Sequence, residues 1–184
     1  MRWFWIDRFL EFERGCRAVA VKCISLAEEH LVDYAPGIAI MPTSLIVEGM
    51  AQTGGMIVGE FGAFEQRVVL AKLGKVIFHF HPEVGQTLTY RAEVQDLKND
   101  GAIVTATSHV GERLQAEAEF VFALLDDRFK GVELFEPAGL LHLLRVFKLY
   151  DVGRKADGSP LDIPPRLLAA ERAANPPRAQ GLKK

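Results

Sequence analysis

The arrangement of apolar and polar residues changes character several times along the chain. Over residues 3–12 and 17–25 the two kinds partly alternate on either side of Glu13-Arg14-Gly15, where glycine can supply a positive φ; this predicts an opening hairpin. The polar run Ala27-Glu28-Glu29-His30 and a segment punctuated by Pro36, Gly37 and Pro42 mark a loop. A helix follows, with Thr43 or Ser44 as its cap and an end near Phe61 or Ala63. Residues 68–80, 87–97, 102–110 and 114–125 then read as strands, with Gly85, Asn99-Asp100-Gly101 and Gly111-Glu112 at the breaks. Two strands, one helix and four antiparallel strands form an α+β order in which the sheet can curl around the helix. Beyond Asp126 the texture shifts to an amphipathic helix over 136–150, with Leu140, Leu141, Leu143, Leu144 and Phe147 at helical spacing, expected to pack on the domain or on a second subunit. A proline-rich tail, extended or mobile with one short helix near 166–173, ends the chain. The expected organisation is a domain over 1–126 and a helical extension over 127–184.

The first helix is apolar on nearly every side, through Leu45, Ile46, Val47, Met50, Met56, Ile57 and Val58, so it is expected to be surrounded rather than to lie on a surface. Ser44, Glu48 and Gln52 recur every four residues and stack on one face, which Gly55 and Gly59 continue without side chains. A carboxylate in such surroundings loses much of its hydration unless it is paired. Glu48 is therefore expected to hold its proton to higher pH or to find donors, and either outcome suits acid–base chemistry. The alternative is structural: Glu48 pins the helix through a hydrogen bond to backbone or water. Gln52 reads as the group that orients it. Each of Gly49, Gly54, Gly55 and Gly59 lowers helix propensity by roughly 1 kcal/mol relative to alanine, so close approach of strands or of a partner helix, or a slot for a slender ligand, must offset the loss.

Composition narrows the classes. The chain has 184 residues, 49% hydrophobic and 25% charged, with a formal net charge of -2, an ordinary balance for a soluble globular protein. No basic stripe with interleaved aromatics points to nucleic acid. Cys16 and Cys23 lie in the predicted hairpin without metal-ligand spacing, and are expected to be buried or half-buried free thiols in a reducing compartment. The start, MRWFWIDRFLEFERG, mixes acids and bases with aromatics and lacks the pattern of a secretory signal. The most apolar run, 45–58, is broken by Glu48 and Gln52 and is shorter than the roughly 20 residues of a membrane span. A cytoplasmic location is the expectation.

The segment Tyr34-Ala35-Pro36-Gly37-Ile38-Ala39-Ile40-Met41-Pro42-Thr43-Ser44-Leu45-Ile46-Val47-Glu48-Gly49-Met50-Ala51-Gln52 resembles the signature of the beta-hydroxyacyl-acyl-carrier-protein dehydratases of the FabZ/FabA type. Trp5-Ile6-Asp7-Arg8 with Gly15, Pro82-Glu83-Val84-Gly85-Gln86 and Ala116-Glu117-Ala118-Glu119 extend the likeness to roughly residues 3–125. The resemblance implies a hot-dog fold, a long central helix wrapped by a curved antiparallel sheet. It further implies a homodimer or larger assembly, such as a hexamer, and a site at the dimer interface. No cofactor is implied, because the substrate arrives on the phosphopantetheine of acyl carrier protein or coenzyme A.

In that family a histidine and an acid on the long helix, from opposite subunits, remove water from a 3-hydroxyacyl thioester. Glu48 matches the acid, whereas Tyr34 stands at the histidine position and Ala35 at the phenylalanine after it. Histidine, with an ordinary pKa of about 6.5, serves as a base at neutral pH, and tyrosine, near 10, does not without a large shift. The neighbouring Asp33 would move Tyr34 further up. Gly37 belongs to the same motif, and the backbone N–H of Thr43 falls where the family polarises the thioester carbonyl, at a position usually held by glycine. His30, His79 and His81 are candidate substitutes for the missing base; the last two are expected on one strand face, and His30 lies nearest the loop. Three functions follow: a 3-hydroxyacyl thioester dehydratase of fatty-acid or lipid biosynthesis, an acyl-thioester-binding partner impaired by Tyr34, and a thioesterase.

Overall fold

The computed structural model describes residues 4–28, 31, 39–125 and 135–175. Strands β1 (Arg8–Glu13) and β2 (Arg17–Cys23) form the opening hairpin, with Gly15 in its turn at a φ of 65°. In β1 the inward residues Phe9 and Phe12 are three apart, which strict alternation forbids. A register shift between Phe9 and Glu11 turns both rings into the core, where they meet edge to face at 5.3 Å.

Helix α1 (Thr43–Phe61) has the expected extent, but Pro42 occupies the cap position and neither Thr43 nor Ser44 supplies a side-chain cap. Proline has no N–H to satisfy and its fixed φ suits the approach to a helix. Strands β3 (Arg67–Phe78), β4 (Thr87–Leu97), β5 (Gly101–Val110) and β6 (Arg113–Leu125) follow. The seven-stranded sheet has the order β3-β6-β5-β4-β2-β1-β7 and is antiparallel throughout except for β7. Register shifts in the β3–β6, β4–β5 and β5–β6 pairs add the local twist that curls the sheet around α1.

The inner face explains how closely helix and sheet approach. Alternate residues of the central strands, among them Ala92, Ala106, Ala116 and Ala118, are buried and small beneath α1. Gly49 and Gly54 meet this surface. A Cβ at Gly49 would lie 2.5 Å from Tyr90 Cε2, and one at Gly54 would lie 2.9 Å from Val104 Cγ1. Gly55 and Gly59 face elsewhere, toward Phe122 and Phe64, so the two explanations for the glycine run apply to different glycines. Gly49→Ala is accordingly expected to destabilise the protein, since overpacking by about 1–3 kcal/mol outweighs a propensity gain of about 1 kcal/mol. At Gly55 the nearest atom to a new Cβ is 3.4 Å away, and alanine there should stabilise by up to about 1 kcal/mol. Denaturant midpoints of the two variants moving in the same direction would contradict this division of the helix.

The region after β6 joins the same core. Helix α2 (Pro137–Val146), the short α3 (Leu149–Val152), strand β7 (Gly153–Arg154) and α4 (Pro165–Ala174) follow in order. The predicted single helix over 136–150 is broken at Lys148, whose φ of 57° is left-handed. Glu136 caps α2 by accepting hydrogen bonds from the N–H groups of Ala138 and Gly139. Leu140, Leu141, Leu144, Phe147, Leu149, Leu161 and Leu167 are buried in the cluster that holds α1 and the sheet. The amphipathic helix thus packs on its own chain. Strand β7 pairs in parallel with β1, and Arg145 grips Glu171 through two 3.0 Å hydrogen bonds between α2 and α4.

Candidate functional site

On α1, Glu48 and Gln52 are one turn apart, and the Gln52 Nε2 donates to Glu48 Oε1 at 2.9 Å. The Gln52 Oε1 in turn accepts the backbone N–H of Trp5 at 2.8 Å. That second bond fixes the amide: its oxygen must face the Trp5 N–H, so its NH2 must face the carboxylate. The N-terminal segment thereby orients Glu48 through Gln52. Glu48 itself is exposed in the single chain, contrary to the expectation of a desolvated carboxylate. Ser44 and Glu48 are exposed and Gln52 is half-buried, whereas Gly55 and Gly59, which continue the stripe, approach Phe122 and Phe64.

Glu48 and Gln52 stand at one end of a groove of about 560 Å3 that follows the helix. Gly55, Met56 and Gly59 of α1 line it together with Val68, Phe122, Leu140 and Arg166. Its lining mixes apolar side chains with the polar or charged Glu48, Gln52, Glu65, Gln66, Arg67 and Arg166, a concave surface that can hold a ligand with both apolar and polar parts.

The other predicted residues are distributed differently. Thr43 is half-buried as the first residue of α1 and is not among the groove-lining residues; no acidic residue lies in the first turn to neutralise the helix dipole. Tyr34, Gly37 and His30 lie outside the described residues. Strand β3 ends at Phe78, so His79 and His81 do not share a strand face as expected. Both are exposed, neither lines the groove, and His79 Nε2 is 3.3 Å from Glu117 Oε1. Cys16 and Cys23 are free but exposed rather than buried. Cys16 sits in the hairpin turn, and Cys23 continues the outward-facing series of β2 while Ala18, Ala20 and Lys22 face inward. Among the described residues, no His/Cys/Asp/Glu cluster could hold a metal, and no helix is long and apolar enough to cross a membrane.

Two buried polar sites escaped the sequence reading. Lys22 is almost fully buried and its ammonium bonds to Glu28 and, at 3.4 Å, to Asp7. Near the other end of α1, Glu60 is only 2% exposed, 3.6 Å from Arg14 Nε. Burial raises its pKa, and Arg14 only partly opposes that shift. Between the ordinary glutamate value of about 4.3 and the raised native one, the folded state binds more protons than the unfolded state. Stability attributable to Glu60 is therefore highest at low pH and falls as pH rises through the native value. Glu60→Gln should raise the melting temperature at pH 8 and lose this advantage toward pH 4; a wild type more stable than the variant at pH 8 would show that Arg14 outweighs burial.

No family model matches the chain. Over 120 residues it is 36% identical to the 3-hydroxyacyl-(acyl-carrier-protein) dehydratase FabZ of Desulforamulus reducens, spanning 65% of this chain and 84% of that protein. The FabZ of Symbiobacterium thermophilum is also 36% identical, over 66% of this chain and 86% of its own. Among solved structures, smu.793 from Streptococcus mutans, bound to acetyl CoA, superposes with a TM-score of 0.56 at 15% identity, covering 68% of this chain and 93% of that one. A hypothetical thioesterase protein from Streptococcus pneumoniae, with coenzyme A, gives 0.53 at 13% identity over 64% and 84%. The structural likenesses establish the hot-dog fold, and on the sequence relatives the chain belongs to the FabZ/FabA-like family of 3-hydroxyacyl-(acyl-carrier-protein) dehydratases.

Proposed function

We propose that the protein binds a 3-hydroxyacyl thioester along the α1 groove and catalyses its reversible dehydration. The carrying observation is the Trp5–Gln52–Glu48 hydrogen-bond chain, which holds a carboxylate in the lining of the groove. Loss of water breaks the C2–H and C3–O bonds and forms the C2=C3 double bond; Glu48 takes the C2 proton and delivers it to the leaving hydroxyl, which departs as water, and Tyr34 hydrogen-bonds the hydroxyl or the thioester carbonyl. The Thr43 N–H, at the positive end of α1, polarises that carbonyl as negative charge develops. The substrate rides on the phosphopantetheine of acyl carrier protein or on coenzyme A, and no further cofactor takes part.

The same reading makes the working unit at least a homodimer. Strand β3 is the free edge of the sheet, twelve residues long, with Leu70 and Leu73 exposed. Hydration of crotonyl thioester by the purified protein tests the activity: turnover supports it, and none at high enzyme concentration contradicts it. A second reading, an impaired acyl-thioester binder, is supported by the resemblance of residues 34–52 to the family signature, which sets Tyr34 at the histidine position and Ala35 after it. Activity that appears only after Tyr34→His with Ala35→Phe would select that reading.

A further inference from the structure

We propose that the C-terminal extension sets the length of acyl chain that this site accepts, making the substrate a medium-chain thioester. The inference rests on the thioester reading above and adds what lies at the other end of the groove. The resemblance to the dehydratases spans roughly residues 3–125, and α2 and α4 lie beyond it. Both nonetheless reach the groove: Phe135 and Leu140 contribute from the start of α2, and Arg166 from α4.

The extension is fixed in place at this end. After α1 the chain turns through Ala63 and Phe64, both with left-handed φ, and the Phe64 N–H bonds Gly59 O at 2.7 Å. The turn sets the Phe64 ring against Gly59, where a Cβ would lie 3.0 Å from it. Arg166 Nη2 then donates to Phe64 O at 2.7 Å, tying α4 to this turn, while the Arg145–Glu171 pair ties α4 to α2. Ring, guanidinium and leucine, with the polar Glu65, Gln66 and Arg67 also lining the groove, make the wall.

The wall stands at a definite distance from the reactive end. Glu48 and Gly59 are about 16 Å apart along the axis at the helical rise of about 1.5 Å per residue. An extended hydrocarbon advances about 1.25 Å per carbon, given a C–C bond of about 1.5 Å. A chain laid along the helix from Glu48 to Gly59 therefore spans about thirteen carbons, and a longer one would have to displace Phe135 and Arg166 or place its terminal methyl beside the polar Glu65, Gln66 and Arg67.

Turnover and calorimetric binding of saturated and 2-enoyl-CoA thioesters with four to eighteen carbons, using the full chain, test this. Wild type should favour intermediate lengths and discriminate against the eighteen-carbon chain by about tenfold or more. Phe135→Ala with Arg166→Ala, both groove-lining and both at exposed positions, should remove that discrimination while the melting temperature moves little. Binding with a flat length profile, or a double variant whose profile superimposes on the wild type, overturns the role of the extension and leaves the thioester site standing. Binding of no thioester at any length contradicts the site itself, and the extension proposal falls with it. A changed oligomeric mass in the double variant with an unaltered profile would assign the wall to a contact with a second copy and likewise overturn it.

Discussion

Glu48→Gln is expected to lower turnover of a 2-enoyl thioester by about 10²- to 10⁴-fold, the usual contribution of a positioned acid–base group. The substitution keeps the shape of the side chain and removes only its ability to exchange a proton. Glu48 is exposed and the Gln52 amide can still donate to the remaining carbonyl oxygen, so the melting temperature should move little. Thioester binding should persist, because the groove walls are untouched; the loss belongs in kcat, not in KM. A variant that keeps wild-type turnover would move the chemistry to another residue, and one that loses turnover through unfolding would show as a collapsed melting transition.

Leu144→Ala should cost about 2–5 kcal/mol, a large part of the roughly 5–15 kcal/mol that holds a domain folded. Leu144 is fully buried on the face of α2 turned to the common core, beside Leu140 and Leu141. Its removal leaves a cavity that a helix held by β7, the Arg145–Glu171 pair and the Phe4–Phe147 edge-to-face contact at 5.1 Å cannot readily fill. Urea unfolding should shift as one cooperative transition. A loss below about 1 kcal/mol, or a separate early transition of the extension, would show that α2 docks independently of the sheet.

What could be read from the sequence depended on how local the physics was. Helix α1 and strands β3 to β6 matched their predicted spans to within two residues, because a buried period-2 or all-round apolar pattern is written in consecutive residues. Strand β7 could not be read: two residues, Gly153 and Arg154, carry no periodicity, and only the parallel pairing with β1 makes them a strand. The break at Lys148 was equally silent, since its left-handed φ leaves the leucine spacing on either side intact. At the site, the four-residue spacing revealed that Gln52 reaches Glu48. It could not reveal that Glu48 is exposed, because that depends on where the sheet wraps. Glu60 was missed for the converse reason: a carboxylate at the end of a helix reads as solvated, and its burial is set by the β1–β2 hairpin, through Arg14, and by the extension, through Tyr150.

The reaction itself is the central claim, and the mass of the product formed from a 2-enoyl-CoA thioester in the presence of the full chain tests it most directly. Addition of water to the intact thioester, abolished by Glu48→Gln, is the predicted result. An unchanged thioester would leave the groove as a binding site only, and free acid with released thiol would replace dehydration by hydrolysis; either product pattern contradicts the account.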